Sequence, residues 1–487
     1  MSSTNKFYIT TPIYYVNDKP HIGHAYTTLV ADVLARYHRQ KGEETFYLTG
    51  TDEHGSKIAA AAEKKGITPK DFCDQNSATF KEAWQNLNIS NDYFIRTTDP
   101  KHEEAVKQIF DKLLAAKTPA RNSVLYEGEY QGLYCQGCEK FITEKDLVDG
   151  LCPDHKIAPQ LLKEKNYFFR LKDYLPLIEE KIKSNELQIL PESKKNEALG
   201  FIKQGIDDFS VTRQNVKWGI DLAFAPGQVA YVWVDALSNY LTALDYPQSE
   251  SELMKFWPAD VQLMAQDIAK FHAIYWPAML LALDLPLPKT LFVHGFFTID
   301  GQKMSKSLGN VIDPNDLVKK YGTDGARYLL LSQFPLGHEG DLQVNLFDER
   351  YNNDLANGLG NLVARISNLA EKYLSANSVV DFKIENYSAA ELDNLKTDSA
   401  LSAIMKKITE LNQLIDQNKP WQLAKGDDES LEKLTEFLQL CVGHVLSIAH
   451  SLKPFMPETA EKISAQFSAE KIVKGESLFP RLIKPEN

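Results

Sequence analysis

The chain has 487 residues, a formal net charge of −12, 43% hydrophobic residues and 25% charged residues. It is too long for one ordinary core, so about two to four domains are expected. The negative charge argues against a protein that coats nucleic acid indiscriminately. Five cysteines fit a reducing compartment, and we see no apolar run of membrane-spanning or secretory-signal type. We therefore expect a cytoplasmic protein.

The first distinctive stretch is residues 9–24, which lead from an apolar segment through a turn into His-Ile-Gly-His. Residues 6–11 predict a strand, since Pro12 cannot donate to a following ladder, and Pro20 stands where a first helical residue is often found. Apolar residues then recur at spacings of three and four, which predicts a helix. They are Ile22, Ala25, Leu29 and Val33.

His21 and His24 are three residues apart, so both imidazoles can project from one side of the first helical turn. Gly23 between them has no Cβ to obstruct a ligand. A helix N-terminus offers unpaired N–H groups and the positive end of the helix dipole, which suits phosphate. Taken alone, the tetrapeptide is more simply read as two surface histidines.

Strand, turn and helix then alternate. Residues 45–49 and 92–96 predict further strands, and Asp99-Pro100 predicts a helix start. This order predicts an α/β fold with a parallel, Rossmann-type sheet, whose ligands bind beyond the carboxyl ends of the strands. The turn before His21 and the turn that contains Asp52 are both expected at that edge.

The alternation breaks near Thr118, where two pairs of metal-binding residues occur. Each pair has two residues between its members, and thirteen residues separate the pairs, a spacing that suits tetrahedral zinc. All four positions would be filled, so the zinc would be structural; the alternative is a chance grouping of reduced cysteines. The four residues are Cys135, Cys138, Cys152 and His155. Cys73 and Cys441 lie in helical patterns and are expected to be buried.

Alternation resumes with a predicted strand at residues 229–234 and another at residues 261–264, each followed by a helix. The second helix carries His272 and Trp276. After a predicted strand at residues 291–297, Asp300-Gly301 supports a type I′ hairpin.

The hairpin leads into Lys303-Met304-Ser305-Lys306-Ser307. Two lysines with serines in a loop are the composition of a mobile phosphate clamp, although any solvated basic loop shares it.

Helical patterns dominate from Arg350 onward and predict a helix bundle. Residues 376–397 are acidic and weakly patterned, as in a connecting region. Three apolar stripes carry the bundle prediction: Leu355, Leu359, Leu362, Ile366, Leu369 and Tyr373; Leu401, Ile404, Ile408, Leu411 and Ile415; and Leu434, Phe437, Leu438, Cys441, Val445 and Ile448.

The motif at residues 21–24 and the lysine loop at residues 303–307 resemble the paired signatures of class I aminoacyl-tRNA synthetases. Over essentially the whole chain, the sequence is similar to the methionyl-tRNA synthetase family, in its subgroup with one zinc knuckle. The stretches that point to this family are residues 11–24, 49–55, 231–240, 267–278 and 292–296.

The resemblance implies a domain organisation with a Rossmann catalytic domain in two halves. They flank an inserted connective domain with the zinc knuckle, and a stem-contact segment and an all-α anticodon-binding bundle follow. The expected boundaries are 1–117 and 206–290 for the two catalytic halves, 118–205 for the insertion, 291–349 for the stem-contact segment and 350–487 for the bundle.

The resemblance also implies the reaction. Methionine and ATP, which brings Mg²⁺, give methionyl-adenylate and pyrophosphate, and methionine then passes to the 3′-terminal adenosine of tRNA(Met) for translation initiation and elongation. A carboxylate is already a nucleophile, so activation needs no general base. Catalysis is therefore expected to consist of alignment and neutralisation of charge.

The matching positions imply roles for individual residues. Methionine binding falls on Ile13, Tyr15, Asp52, Trp233, Ala236, Leu237, Tyr240, Ile268 and His272, with Asp52 on the ammonium group. ATP binding falls on His21, Gly23, His24, Lys303, Ser305 and Lys306, of which His21, His24, Lys303 and Lys306 are the catalytic residues. Anticodon binding falls on Asn361, Arg365 and Trp421. From the residues alone, Tyr15 and His272 could be packed core, and Trp421 a hydrophobic plug.

Some features depart from the family pattern. Ala265-Gln266 stands where many members have Gly-Lys, so a phosphate-contacting lysine is missing, and Leu237 replaces a proline. The chain ends at Asn487, just after the bundle, which favours a monomer.

Two alternatives remain. Synthetases for cysteine, valine, isoleucine or leucine share the signatures, but a large editing insertion does not fit between Thr118 and Lys217, and a cysteine enzyme needs a catalytic zinc at its substrate pocket. A nucleotidyltransferase that acts on a small metabolite would leave the bundle with Trp421 unexplained.

Overall fold

The structure is a computed structural model that describes residues 5–135, 140–142, 144, 147–153, 156–248, 250–304, 309–375 and 382–483. The chain divides into two compact units. Unit 1 comprises Met1–Pro20, Glu43–Glu82 and Asn91–His294, and unit 2 comprises His21–Gly42, Ala83–Ser90 and Gly295–Asn487. No helix in the described ranges is long and apolar enough to span a bilayer.

The strands are, in chain order, β1 (Lys6–Tyr15), β2 (Glu44–Asp52), β3 (Tyr93–Arg96), β4 (Leu125–Cys135), β5 (Lys140–Ile142), β6 (Gln160–Phe169), β7 (Gln188–Leu190), β8 (Phe209–Ser210), β9 (Thr212–Arg213), β10 (Val229–Ala230), β11 (Val261–Ala265), β12 (Thr290–His294), β13 (Phe297–Ile299), β14 (Gln302–Lys303) and β15 (Gly340–Leu342).

The α-helices are α1 (Ile22–Gln40), α2 (Ser56–Lys65), α3 (Pro69–Asn86), α4 (Pro100–Ala115), α5 (Leu175–Lys183), α6 (Glu192–Gln204), α7 (Val232–Thr242), α8 (Trp276–Ala282), α9 (Pro314–Leu331), α10 (Phe347–Arg350), α11 (Asn361–Tyr373), α12 (Ala389–Leu392), α13 (Thr397–Asn418), α14 (Pro420–Leu423), α15 (Asp428–Leu452) and α16 (Pro457–Phe467). π-Helical segments at Phe271–Tyr275 and Tyr351–Gly360 precede α8 and α11.

Unit 1 is built on a parallel sheet with the strand order β3-β2-β1-β11-β12-β7. The chain order reverses between β1 and β11, and ligands of such sheets bind beyond the carboxyl ends of the strands at this point. An extensive apolar core packs around the sheet, with Tyr8, Leu48, Val106, Trp276 and Leu291 fully buried or nearly so. The predicted Rossmann-type α/β fold is confirmed.

Strand β1 continues past the predicted end at residue 11 to Tyr15. Its register with β2 shifts between Thr10 and Ile13, around Pro12. An irregularity of this kind accommodates a proline because the missing N–H interrupts no regular ladder. Ile13 and Tyr15 therefore lie within the strand and not in a loop.

The predicted strand at residues 229–234 is correct only for its first two residues. Tyr231 is the N-cap of α7, and Val232, Trp233 and Val234 are helical. The strand β10 pairs antiparallel with β9 and does not join the parallel sheet. A short apolar, β-branched run is compatible with a strand or a buried helix, and here the helix places the run against the core.

The predicted strand at residues 291–297 is divided between two sheets. β12 ends at His294 in the parallel sheet, and β13 begins at Phe297 in a small sheet of order β14-β13-β15. Gly295 and Phe296 separate them, and a Cβ on Gly295 would lie 2.7 Å from the backbone nitrogen of Glu339, so only glycine fits there. The predicted type I′ hairpin is confirmed, since Asp300 and Gly301 have φ angles of 47° and 77° between β13 and β14.

Unit 2 contains the predicted helix bundle, formed by α11, α13 and α15 with the additional helix α16. Most residues of the apolar stripes are buried, but Leu369 and Phe437 are only partly buried, and Tyr373, at the end of α11, is 38% exposed. Cys441 is buried in α15, and Cys73 is buried in unit 1, as expected.

A buried ion pair ties α1 to α9 within unit 2. Asp32 Oδ2 lies 2.7 Å from Arg327 Nη2, and both side chains are fully buried. Arg327 Nε also donates to the carbonyl of Phe455, which follows α15. Although burial alone would raise the pKa of Asp32, the charges of Arg327 and Arg36 lower it. The helix that begins beside His21 is thus firmly anchored.

Candidate active site

One side of α7 in unit 1 carries four residues that are predicted to line the methionine pocket, and this apolar side is called here the wall. Trp233, Ala236, Leu237 and Tyr240 are spaced by three or four residues around the helix and share this side, called here the pocket side of α7. All but Trp233 are buried. Trp233 is partly buried and stacks on Phe271 at a ring-centroid distance of 3.8 Å.

His272 and Ile268 are joined to this wall by hydrogen bonds. His272 Nδ1 lies 3.0 Å from the carbonyl of Ile268, which can only accept, so His272 donates there and its Nε2 accepts from the Tyr240 hydroxyl at 2.7 Å. Burial lowers the pKa of His272 to about 4, against the weaker effect of the Ile268 hydrogen bond. Burial raises the pKa of Tyr240. The wall is therefore electrically neutral and suits an uncharged side chain.

Ile13, Tyr15 and Asp52 lie at the carboxyl ends of β1 and β2. Tyr15 pairs with Asp52 in the strand register, and Ile13 pairs with Gly50. All three predicted pocket residues are partly buried. The carboxyl edge of a parallel sheet is where ligands bind, and the role of these three residues in a methionine pocket stays a prediction.

The loop after Asp52 is fixed by the fully buried carboxylate of Glu53. Arg96 donates to both of its oxygens from Nε and Nη2 at 2.7 and 2.8 Å, and the hydroxyls of Thr51 and Thr98 donate at 2.7 and 2.5 Å. The main-chain carbonyl of Glu53 accepts from Trp218 Nε1 at 2.6 Å. A carboxylate with these partners holds its loop rigidly.

Two buried histidines hold Asp235. His54 Nδ1 lies 2.8 Å from Asp235 Oδ2, and His102 Nε2 lies 2.7 Å from Asp235 Oδ1. Burial by itself would lower the pKa of His54, but the charge and hydrogen bond of Asp235, together with Glu103, raise it to about 10. His54 is therefore a cation at neutral pH, and the pKa of Asp235 is lowered despite burial.

These buried groups were missed from the sequence. Glu53, His54 and Asp235 occur in the family-like stretches at residues 49–55 and 231–240. Those stretches indicated that the residues matter but not which side chains they contact. His54 and Asp235 are 181 positions apart, so no spacing rule links them. For His102 the sequence offered no signal.

In unit 2, His21 and His24 stack at the start of α1 with ring centroids 3.8 Å apart. His21 is the N-cap and accepts from Gly23 N at 3.0 Å through Nδ1, while His24 Nδ1 accepts from His21 N at 3.2 Å. Pro20 therefore precedes the cap and is not the first helical residue. Both Nδ1 atoms accept, so each neutral ring carries its hydrogen on Nε2.

Both rings are neutral at pH 7. Burial lowers the pKa of His21 to about 4, and burial together with the charge of His21 lowers the pKa of His24 well below its ordinary value. A Cβ on Gly23 would lie 2.8 Å from the ring of His21 and 3.4 Å from Met304 Cε. The glycine is thus required by the His21 ring, a reason that the sequence did not reveal.

The lysine loop is described only in part. Lys303 closes β14, and Met304 follows it. Ser305 and Lys306 lie outside the described residues.

Lys194 from α6 donates to Gln266 Oε1 at 3.0 Å, so a different lysine reaches the position where many family members carry theirs. Leu237, the second departure, is buried in the wall.

The predicted zinc ligands are half described. Cys135, at the end of β4, and Cys152 are fully buried and pack with Ile142 in one small cluster. Cys138 and His155 lie outside the described residues. Within the described ranges no group of three or more His, Cys, Asp or Glu side chains is arranged to hold a metal. Two buried thiols in one cluster fit the donor chemistry of zinc.

The predicted anticodon residues lie on the bundle in unit 2. Asn361 is exposed at the start of α11, and Arg365 Nη2 lies 2.5 Å from Asp416 Oδ1. Trp421 is 45% exposed in α14. An indole with this exposure is not a buried plug.

Comparison with known proteins places the chain in a family. The family model described as tRNA synthetases class I (M) matches residues 7–160 and 155–367. The methionine–tRNA ligase of Clostridium acetobutylicum is 44% identical, and the match covers 99% of this chain and 79% of that protein. The methionine–tRNA ligase of Thermotoga maritima is 41% identical, with coverage of 96% and 76%.

A solved structure agrees over nearly the whole chain. Mycobacterium tuberculosis methionyl-tRNA synthetase in complex with methionyl-adenylate superimposes with a TM-score of 0.91 at 35% identity, covering 98% of this chain and 100% of that one. Its apo form gives a TM-score of 0.84 at 32% identity, with 99% coverage of each chain. The chain therefore belongs to the methionyl-tRNA synthetase family of class I aminoacyl-tRNA synthetases and is a methionine–tRNA ligase.

Proposed function

We propose that this ligase activates L-methionine with ATP and then charges tRNA(Met), for initiation and elongation of translation. In the first step a methionine carboxylate oxygen bonds to the α-phosphorus of ATP and the bond to pyrophosphate breaks. In the second, a hydroxyl of the 3′-terminal ribose attacks the acyl carbon and AMP leaves. The main support is the full-length match to an enzyme solved with methionyl-adenylate.

Methionine would be held by the neutral wall and by Asp52. A thioether is uncharged and polarizable, and it makes favourable contacts with aromatic rings. Asp52 would bind the substrate ammonium group. The proposed methionine-binding residues are Ile13, Tyr15, Asp52, Trp233, Ala236, Leu237, Tyr240, Ile268 and His272.

ATP would be held by neutral hydrogen-bond donors and by lysines. The Nε2–H groups of His21 and His24 would donate to phosphate oxygens, and Gly23 would allow close approach. Lys303, Ser305 and Lys306 would bind the developing pyrophosphate, and Mg²⁺ that enters with ATP supplies further neutralisation of phosphate charge.

The connective insertion would carry one structural zinc on Cys135, Cys138, Cys152 and His155. The burial of Cys135 and Cys152 in one cluster supports this assignment. With four protein ligands, no position remains for a reacting water.

Anticodon bases would stack on Trp421 and contact Asn361 and Arg365. Exposed aromatic and guanidinium groups are the usual means of binding unpaired bases. We also propose the division into a split catalytic domain, insertion, stem-contact segment and bundle at the boundaries given above, and a cytoplasmic monomer, which sedimentation velocity would test.

The decisive experiment is ATP–pyrophosphate exchange run separately with each amino acid. Methionine is expected to support exchange far better than any other. Faster exchange with cysteine or valine would contradict the proposal. Metal analysis of the same sample is expected to find about one zinc per chain, and a zinc-free, active sample would remove the zinc assignment alone.

A further inference from the structure

The side of α7 opposite its pocket side is anchored at two points. Asp235 and Thr242 are seven residues apart, about two helical turns, so they share a side. His102 of α4 contacts both, with Nε2 2.7 Å from Asp235 Oδ1 and Nδ1 2.7 Å from Thr242 Oγ1. Two contacts separated along the axis fix the rotation and the tilt of the helix against α4.

The same carboxylate ties α7 to the loop that follows Asp52. The second oxygen of Asp235 lies 2.8 Å from His54 Nδ1, and His54 follows Asp52 by two residues. Glu53 between them is fixed by Arg96. Any shift of α7 would therefore stretch a charged hydrogen bond to this loop.

The three side chains that make this connection are almost inaccessible to solvent. His54, His102 and Asp235 are 3%, 2% and 1% exposed. Burying charged groups is unfavourable unless each is paired, and removal of one partner leaves the others uncompensated. Side chains in such a cluster have little freedom to adopt another arrangement.

We propose that His54, His102 and Asp235, the Asp235 cluster, are positioning residues for amino-acid selection. By holding α7 against α4 and against the loop after Asp52, they fix the separation between the Asp52 carboxylate and the pocket side of α7, and a fixed separation selects amino acids by side-chain length. The inference rests on the proposed roles of Asp52 and the wall, and it adds the residues that hold them in register. The cluster acts through these groups.

The principal test compares His102→Leu with His102→Gln. Leucine removes both contacts of the ring, whereas glutamine retains an amide that can donate to Asp235. In pyrophosphate exchange, His102→Leu is expected to raise the KM for methionine about tenfold, since small displacements of a binding group have large effects. The KM for ATP is expected to change less than about twofold, and His102→Gln to restore most of the methionine affinity.

Selectivity supplies a second readout. Ethionine is one methylene longer than methionine, and a wall held in place discriminates against the extra group. His102→Leu and Thr242→Val are expected to reduce the ratio of kcat/KM for methionine to that for ethionine. Thr242→Val removes only the neutral contact with His102, so it tests the proposal even if His102→Leu does not fold.

Asp260→Asn is the matched control. Its carboxylate accepts from Tyr8 N at 2.8 Å at the start of β11, the opposite edge of the sheet, so both KM values and the selectivity ratio should stay unchanged. Thermal unfolding of each variant identifies those that remain folded.

Unchanged methionine KM and selectivity in folded His102→Leu and Thr242→Val would overturn the proposal. An equal rise in the KM for methionine and for ATP would do the same, because it would indicate general loosening. Asp52→Asn tests the proposed ammonium-binding role of Asp52 separately from the proposed role of the Asp235 cluster. If this variant binds methionine normally, the ammonium role of Asp52 is wrong, while the ethionine ratio still decides whether the cluster sets the wall.

Discussion

The pair His21 and His24 in unit 2 and the residue His54 in unit 1 have opposite electrostatic behaviour. In unit 2, burial lowers the pKa of His21 to about 4, and both neutral rings cap their own helix by accepting backbone N–H groups through Nδ1. In unit 1, carboxylates raise the pKa of His54 to about 10 despite burial. Residue type is the same in both, and the difference is the presence of Asp235.

The difference teaches that burial and charge partners must be weighed together. Desolvation alone makes a histidine a neutral hydrogen-bond group, which suits contact with phosphates that already have cationic partners. A buried carboxylate at 2.8 Å makes it half of an ion pair, which suits structural anchoring. This contrast agrees with our proposals that His21 and His24 bind phosphate and that His54 helps to hold the wall.

The largest expected effect concerns the residues that are proposed to bind the phosphates of ATP. Lys306→Ala should lower the rate of methionine activation by about 10²- to 10³-fold, because it removes a charge that stabilises the transition state. Methionine affinity should change little. Single-turnover adenylate formation with methionine titration measures both, and an equal loss in rate and affinity would argue against a transition-state role.

A similar but smaller loss, about 10²-fold in rate, is expected for His24→Ala, which removes one neutral donor. His38→Ala, near the other end of the same helix, is the control. Because its pKa is lowered, the His24 ring is neutral between pH 6.5 and pH 7.5. A rate that fell over this range in the wild-type protein but not in His24→Ala would contradict the lowered pKa.

Trp421→Ala leaves both histidine pairs intact and tests the bundle. Loss of stacking on one base should reduce kcat/KM for tRNA by about 5- to 150-fold, equivalent to about 1–3 kcal/mol. Pyrophosphate exchange without tRNA should be unaffected. Normal charging of tRNA(Met) by this variant would remove the anticodon assignment.

The smallest expected effect is on the stability of the protein, and it tests the raised pKa of His54 directly. The pKa of His54 is raised from 6.5 to about 10, so its stabilising ion pair is fully present below pH 6.5 and is lost as the pH rises through 10. Replacement of His54 by Gln should therefore lower the free energy of unfolding more at pH 7 than at pH 10.5. Urea unfolding at the two pH values measures this, and equal losses would contradict it.

His21 should behave in the opposite sense. Its pKa is lowered from 6.5 to about 4, so the stability that depends on a neutral ring is present above pH 6.5 and is lost as the pH falls towards 4. His21→Gln should therefore flatten the acid side of the stability profile. A profile identical to that of the wild-type protein would contradict the lowered pKa of His21.

Much of the architecture was predictable. Alternating strands and helices, the Asp300-Gly301 hairpin and the apolar stripes of the bundle are local patterns, and the structure confirms them. The wrong boundaries lie where local preference is ambiguous. The run at residues 229–234 has strand composition, yet α7 takes most of it because its side chains must meet the core.

By itself, the sequence determined the fold class, the family and the identity of the residues proposed to meet methionine and ATP, because motifs and periodicity are written along the chain. Tertiary structure alone decided the protonation of histidines such as His21 and His54 and the side chains that hold the proposed site in place. Asp235 joins His54 and His102 across separations of 181 and 133 residues. Such contacts depend on packing, and no spacing along the chain reports them.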